Sequence, residues 1–213
     1  MSLKLGLIGI VGKELESDLP GTLKRLRALG YRGIELGVGS LKKMGGAERT
    51  KAALDDAGLE LITLHTGREM LRDDFGGLVA ACEASGSRHA TISWSPLESP
   101  ESIKADAELY NRCGPDLRER GITLCYHNHE HEFTTRFGGR FAMDMLLQAA
   151  KPEALAVHFD VAWGTFGGID PAAFIERHRG RVPMIHLKDL YDLSVRNCFT
   201  APGTGLVDLR ACL

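Results

Sequence analysis

Long apolar runs are missing from this 213-residue sequence: none approaches the roughly 20 residues that a helix needs to cross a bilayer. No Pro/Ser-rich linker and no block of like charge interrupts the chain, so a single domain over residues 1–213 is expected. Cysteine pairs at C-x-x-C spacing are absent as well. The five cysteines (Cys82, Cys113, Cys125, Cys198, Cys212) are odd in number and scattered, which excludes a disulfide scaffold and reads as free thiols in a reducing cytoplasm. Charge of one sign is also lacking. Lys and Arg number 26 against 28 Asp and Glu, a net −2, so no general field draws in polyanions, and neither nucleic acid nor a membrane is an expected partner. What remains, 44% hydrophobic and 25% charged residues, is the composition of an ordinary globular protein.

The apolar start, Met1 to Gly12, resembles a signal core only superficially. It is short, broken by glycines, preceded by the single Lys4, and lacks a small-x-small cleavage site. A buried first strand over Leu3–Ile10 and a cytoplasmic protein are expected instead. The Gly6-x-x-Gly9-x-x-Gly12 spacing falls largely inside that strand, so it forms no phosphate cradle.

A period runs through the rest. Helical stretches end in Gly30, Gly58, Gly86, Gly121 and Gly180, each followed by a β-rich run; glycine stops a helix by entering the left-handed conformation without a Cβ clash. Gly30 to Gly58 and Gly58 to Gly86 are each 28 residues, Gly86 to Gly121 is 35, and the 59 to Gly180 is two units joined at Lys151-Pro152. That interval fits one strand, one helix and two loops. The strands read Leu3–Ile10, Gly33–Leu36, Leu59–His65, His89–Trp94, Ile122–Asn128, Leu155–Asp160 and Val182–Leu187, nearly continuous apolar runs suited to burial on both faces. Between the first two, Leu19, Leu23, Leu26 and Leu29 recur at helical spacing behind Pro20. An α/β fold of the TIM-type (β/α) barrel class follows, with about seven strands and the eighth βα unit missing, since eight units usually take about 250 residues. The unpaired edges of such a barrel make a homo-oligomer the expected assembly.

Several strands end in a polar group: Glu35, His65, His127-Asn128-His129, Asp160, and His186-Leu187-Lys188-Asp189. In a parallel barrel these ends meet at one mouth, where active sites sit. A carboxylate there is costly unless paired or bound to a cation. Tyr126 to Phe133 alone holds three histidines and two glutamates, and strand alternation would put His127 and His129 on one face. Blander readings stand beside these: a solvated loop, a core His186, an interior salt bridge at Glu35. For Asp160 the bland reading is a helix cap, against which the Gly-containing stretch 161–168 reads as a loop; Asp170-Pro171 fits a cap better. Mixed His and carboxylate donors suit Mn²⁺, Zn²⁺, Co²⁺ or Mg²⁺ without choosing among them.

The pieces Gly30–Leu36, Tyr126–Phe133, Phe159–Trp163, Gly168–Pro171, Ile185–Asp189 and Pro202–Asp208 together resemble the sugar phosphate isomerase/epimerase family of the xylose isomerase-like TIM barrels. The resemblance runs through essentially the whole chain. It implies one divalent metal held by Asp160, His186 and a first glutamate, taken as Glu132, although strict register puts His127 in that place. A second glutamate would lie on the eighth strand, and Thr204 stands where a glutamate is common. The implied chemistry is isomerisation or epimerisation of a carbohydrate-like small molecule through a metal-stabilised enediolate. Glu132 is the implied base, Lys188 a catalytic cation, and Glu35, His65, His127 and His129 the substrate contacts. Trp94 and Trp163 could wall a sugar ring or pack in the core. A dehydratase or lyase using the same metal, and an inactive barrel fragment with a binding role, are the alternatives. An endonuclease IV-like enzyme is disfavoured by the absent basic groove.

Overall fold

The computed structural model describes residues 3–213; Met1 and Ser2, which open the segment read against a signal sequence, lie outside it. The chain divides into two compact units, Met1–Ile92 with Leu117–Thr123, and Ser93–Asp116 with Leu124–Leu213.

The first unit is built on four parallel strands, β1 (Gly6–Ile8), β2 (Gly33–Gly37), β3 (Glu60–Thr66) and β4 (His89–Ile92), paired in that order. β1 is shorter than Leu3–Ile10. It is half-buried rather than buried: it starts only at Gly6, so Leu3 and Leu5 precede it and are exposed, and Gly9, with a φ of +81°, turns the chain and leaves Ile10 exposed. Asp18 caps the following helix, Leu19–Ala28, by accepting from the Gly21 N–H, with Pro20 in its first turn. Leu19, Leu23 and Leu26 are buried on it as their spacing predicts. Leu29 is not: the helix ends before it, and its side chain is 74% exposed. All five glycines of the period, Gly30, Gly58, Gly86, Gly121 and Gly180, have positive φ, so the periodic stops are real chain reversals. Inside the sheet the buried hydroxyls of Thr63 and Thr91 satisfy each other at 2.8 Å.

The second unit carries β5 (Thr123–His127, from Leu124 on), β6 (Ala156–Asp160) and β7 (Met184–His186), again parallel. The register sets His127 opposite His158, and Asp160 opposite His186. Leu124, Tyr126, Leu155, Val157 and Phe159 are fully buried around this ladder, and Phe159 stacks on Phe174 at 4.4 Å. The Arg181 guanidinium donates to the carbonyls of Leu147, Ala150 and Leu155, meeting the acceptors that the end of helix Ala142–Ala149 leaves open. After β7 a two-residue antiparallel pair forms, β8 (Asp189–Leu190) with β9 (Phe199–Thr200), and residues 201–213 are turns. Among the described residues the parallel ladders thus hold seven strands, and all five cysteines are buried thiols outside any disulfide.

One close approach in the second unit allows a direct test. A Cβ at Gly114, on helix Pro100–Glu119, would fall inside contact distance of the Ala154 carbonyl oxygen, a backbone atom that cannot swing away. Gly114→Ala is expected to destabilise by about 1–3 kcal/mol, the usual cost of overpacking, although alanine is the better helix former. Urea denaturation of both proteins measures the difference; an unchanged or raised midpoint would show that the backbones separate freely.

Candidate metal centre

The register β6/β7 brings together two residues that are 26 positions apart in sequence (186 − 160). Asp160 is completely buried and uses its two oxygens differently. Oδ1 accepts from the Trp163 N–H at 3.0 Å, capping a helix over Val161–Phe166. The stretch read as a loop is therefore helical, and Asp160 caps it while remaining in the cluster. Oδ2 lies 2.8 Å from Lys188 Nζ and 3.5 Å from His186 Nδ1. Burial pushes the Asp160 carboxyl up, but His186 and Lys188 outweigh it and hold it below the ordinary value.

His127 completes the group. One donor atom from each of His127, Asp160 and His186 lies within 4.8 Å of the others, and all three residues are buried. The His127 and His186 rings are 4.6 Å apart. Burial, then the neighbouring His186, His158 and His129, push the His127 imidazole well below its usual range, which leaves it neutral and able to bind a cation. Asn128 braces the site from behind. Its side-chain amide donates to the Asp160 carbonyl at 3.2 Å and its Oδ1 accepts from the Asp160 N–H at 2.8 Å. Two imidazoles and a carboxylate in a buried, braced group fit a borderline divalent ion.

Glu132 sits in a different group. Its Oε1 accepts from the Tyr126 hydroxyl at 2.9 Å, and its Oε2 from the His129 N–H at 2.8 Å. His131 Nδ1 is 3.3 Å from the same Oε2. One donor atom from each of His129, His131 and Glu132 falls within 4.8 Å of the others. Burial raises the affinity of Glu132 for a proton, and only partly do His131 and the hydrogen bonds offset it. Burial, then His131, lowers His129 to about 4. His129 packs on Trp163 at 5.7 Å, Trp163 is nearly buried, and the half-exposed Trp94 lies 5.8 Å from His131.

Glu35 and His65 belong to the first unit and meet each other, His65 Nε2 lying 2.7 Å from Glu35 Oε2. In the second unit Asp189 is not a mouth ligand. Its buried carboxylate accepts from the N–H groups of Leu190, Gly203, Gly205 and Val207. Burial would raise it, but these four donors hold it below its ordinary value. Thr204, in that turn, donates its hydroxyl to the Ala201 carbonyl at 2.7 Å. His158, inside an apolar strand run, joins the group: its ring is 4.1 Å from His186 and 5.8 Å from His127. The available signal was alternation: residue 158 shares a strand face with Asp160.

A model of the xylose isomerase-like TIM barrel family matches residues 23–213. An inosose dehydratase of Geobacillus kaustophilus is 26% identical over 230 residues, covering 96% of this chain and 70% of its own length. The rhizopine catabolism protein MocC of Rhizobium meliloti is 29% identical over 239 residues, covering 94% of this chain and 71% of its own. Among solved structures, a sugar phosphate isomerase/epimerase from Parabacteroides distasonis superposes with a TM-score of 0.80 at 21% identity, over 99% of this chain and 84% of that one. A protein called IOLI, solved with a zinc atom bound, superposes at 0.73 with 15% identity, over 98% of this chain and 82% of that one.

The buried neutral imidazoles predict how the metal-free protein responds to acid. An unfolded histidine takes up a proton near its ordinary value of 6.5, whereas folded His129 does so only near 4 and folded His127 well below 6.5. The unfolded state thus binds more protons across that window, and stability falls as pH drops from 6.5 toward 4. Glu132, shifted upward, works in the opposite direction with one proton against two. In chelator-treated protein the urea midpoint is expected to fall over this window, and His129→Gln to flatten the decline. A decline equally steep in His129→Gln would contradict the assignment.

Proposed function

The chain belongs to the xylose isomerase-like TIM barrel family, and from that premise we propose that it is a divalent-metal-dependent enzyme acting on a sugar-like or cyclic polyhydroxy ketone. The reading covers residues 1–213 as one domain, since the family match runs through both compact units. The observation that carries it is the buried meeting of His127, Asp160 and His186. These three residues would hold the ion, which when bound supplies Lewis-acid polarisation of the substrate oxygens.

The protein's own groups account for the proton movements. Glu132, a buried carboxylate with raised proton affinity, takes the proton from the carbon beside the ketone, and the C–H electron pair becomes the enolate. Lys188 Nζ, held 2.8 Å from Asp160 Oδ2, carries a proton that it gives to the departing β-hydroxyl, so that water and an enone result. His129 and Trp163 present a flat wall suited to a sugar-like ring. Glu35 and His65 are assigned to substrate hydroxyls on the strength of their strand-end positions. The dehydratase ending is favoured by the relatives named inosose dehydratase at 23–27% identity. In the second reading, isomerisation or epimerisation, the first step is the same and the proton returns to carbon; the name of the Parabacteroides distasonis structure supports it.

Two measurements test the proposal. Asp160→Asn and His186→Ala are each expected to lower affinity for the tight ion more than ~100-fold, since even outer-shell partners are worth 10–100-fold. Metal analysis after dialysis reads this, and unchanged content in both variants would overturn the assignment. Incubation of the loaded protein with an inosose and with ketose phosphates in D₂O separates the two endings. Dehydration gives an ultraviolet-absorbing enone, isomerisation a deuterated isomer, and no exchange on any substrate removes the proton-transfer reading.

A further inference from the structure

The group His129, His131 and Glu132 contains an electrostatic contradiction that a cation resolves. His131 Nε2 lies 2.8 Å from the Ser95 carbonyl. A carbonyl only accepts, so Nε2 carries the hydrogen and the ring's lone pair is on Nδ1. That lone pair faces Glu132 Oε2 at 3.3 Å. Two electron-pair bearers at this separation need a positive particle between them, either a proton or a metal ion. His129 adds a third donor within 4.8 Å, and its Nδ1 is a buried ring nitrogen with no hydrogen-bond partner.

The surroundings are those of ligands held in place from outside. His131 gives its other ring N–H to a main-chain carbonyl, the usual support of a metal-binding histidine. Ser95, which provides that carbonyl, is itself fixed by a hydrogen bond from its hydroxyl to buried Asp106. The Tyr126 hydroxyl holds the other oxygen of Glu132. Ser95, Asp106, Tyr126 and His131 lie on the segment after β4, the helix Pro100–Glu119, β5 and the helix His131–Thr134, and all four residues are in the second unit.

We propose that His129, His131 and Glu132 form a second cation site, for a borderline divalent ion such as Zn²⁺, whose filling disables the enzyme. The site offers three donors, two nitrogens and one oxygen, which suit Zn²⁺ or Co²⁺ better than Mg²⁺. It is the weaker of the two, because Glu132 Oε2 must share its electron pairs with the His129 N–H. Occupancy ties up the carboxylate that accepts the substrate proton. The inhibitory consequence rests on the proposed role of Glu132, whereas the binding itself does not.

Titration of the chelator-treated full chain with Zn²⁺ alone, followed by calorimetry and dialysis, and with Co²⁺ by visible absorption, tests the site. The wild type is expected to take two ions per chain, one tight and one weaker. His131→Phe is expected to take one, with the tight affinity within about threefold of wild type, and Asp160→Asn to keep only the weaker. Activity on the preferred substrate should rise to the first equivalent and fall toward the second, and the fall should vanish in His131→Phe. His131→Gln, which keeps a donor for the Ser95 carbonyl, is the second variant should the phenylalanine perturb folding. Two ions retained by both His131 variants, or a single ion in the wild type that Asp160→Asn abolishes, would overturn the second site while leaving the first standing. A wild type that binds no ion overturns both. Two-ion binding without inhibition upholds the site and overturns its effect.

Discussion

Asp160 is a fully buried carboxylate, and taking such a group out of water costs several kcal/mol unless both oxygens find partners. The second unit is arranged around meeting that demand. The Trp163 N–H takes one oxygen, Lys188 and His186 face the other, and Asn128 pairs with the main chain of the same residue on both sides. The four partners come from three places: a helix start, the end of β7, and the end of β5. The strand register therefore has little freedom, since a slip of one residue would turn Asp160 to the opposite face, away from Lys188, His186 and Asn128, and leave it only the local Trp163 N–H. Structure and candidate chemistry share this one residue, because the oxygen that completes the electrostatics also faces the two imidazoles.

Much of the fold was legible because its signals are local. A glycine that must turn left-handed announces itself by residue type, and the five at the helix ends all do so in the structure. The apolar strands were visible for a similar reason, since burial on both faces demands an unbroken run. Where structure and pattern part, a single backbone event decides. Gly9 ends β1 early, and helix Leu19–Ala28 stops one residue before Leu29. The helix over 161–166 was hidden because glycines at 164, 167 and 168 depress helix propensity, and the Asp160 cap supplies locally what propensity lacks.

The candidate site was legible at the strand ends and illegible in the turn. Asp160 and His186 could be paired from their places on successive strands, and the register pairs them. Glu132 lies on a short helix beyond a strand, where spacing no longer says which way a side chain points. That the Tyr126 hydroxyl reaches Glu132 depends on a contact six residues away. His158 was concealed by an apolar run, where one histidine reads as tolerated packing rather than as part of a cluster.

The carboxylate of Asp189 grips its turn entirely through main-chain N–H groups. Side chains at Thr204 and Leu206 take no part in that grip and are exposed, so these two sites are free to diversify while the anchor persists. Gly205 has no such latitude, because any methyl there would collide with the Leu190 carbonyl and the carboxylate itself. The turn is thus a scaffold of fixed path with interchangeable fingertips.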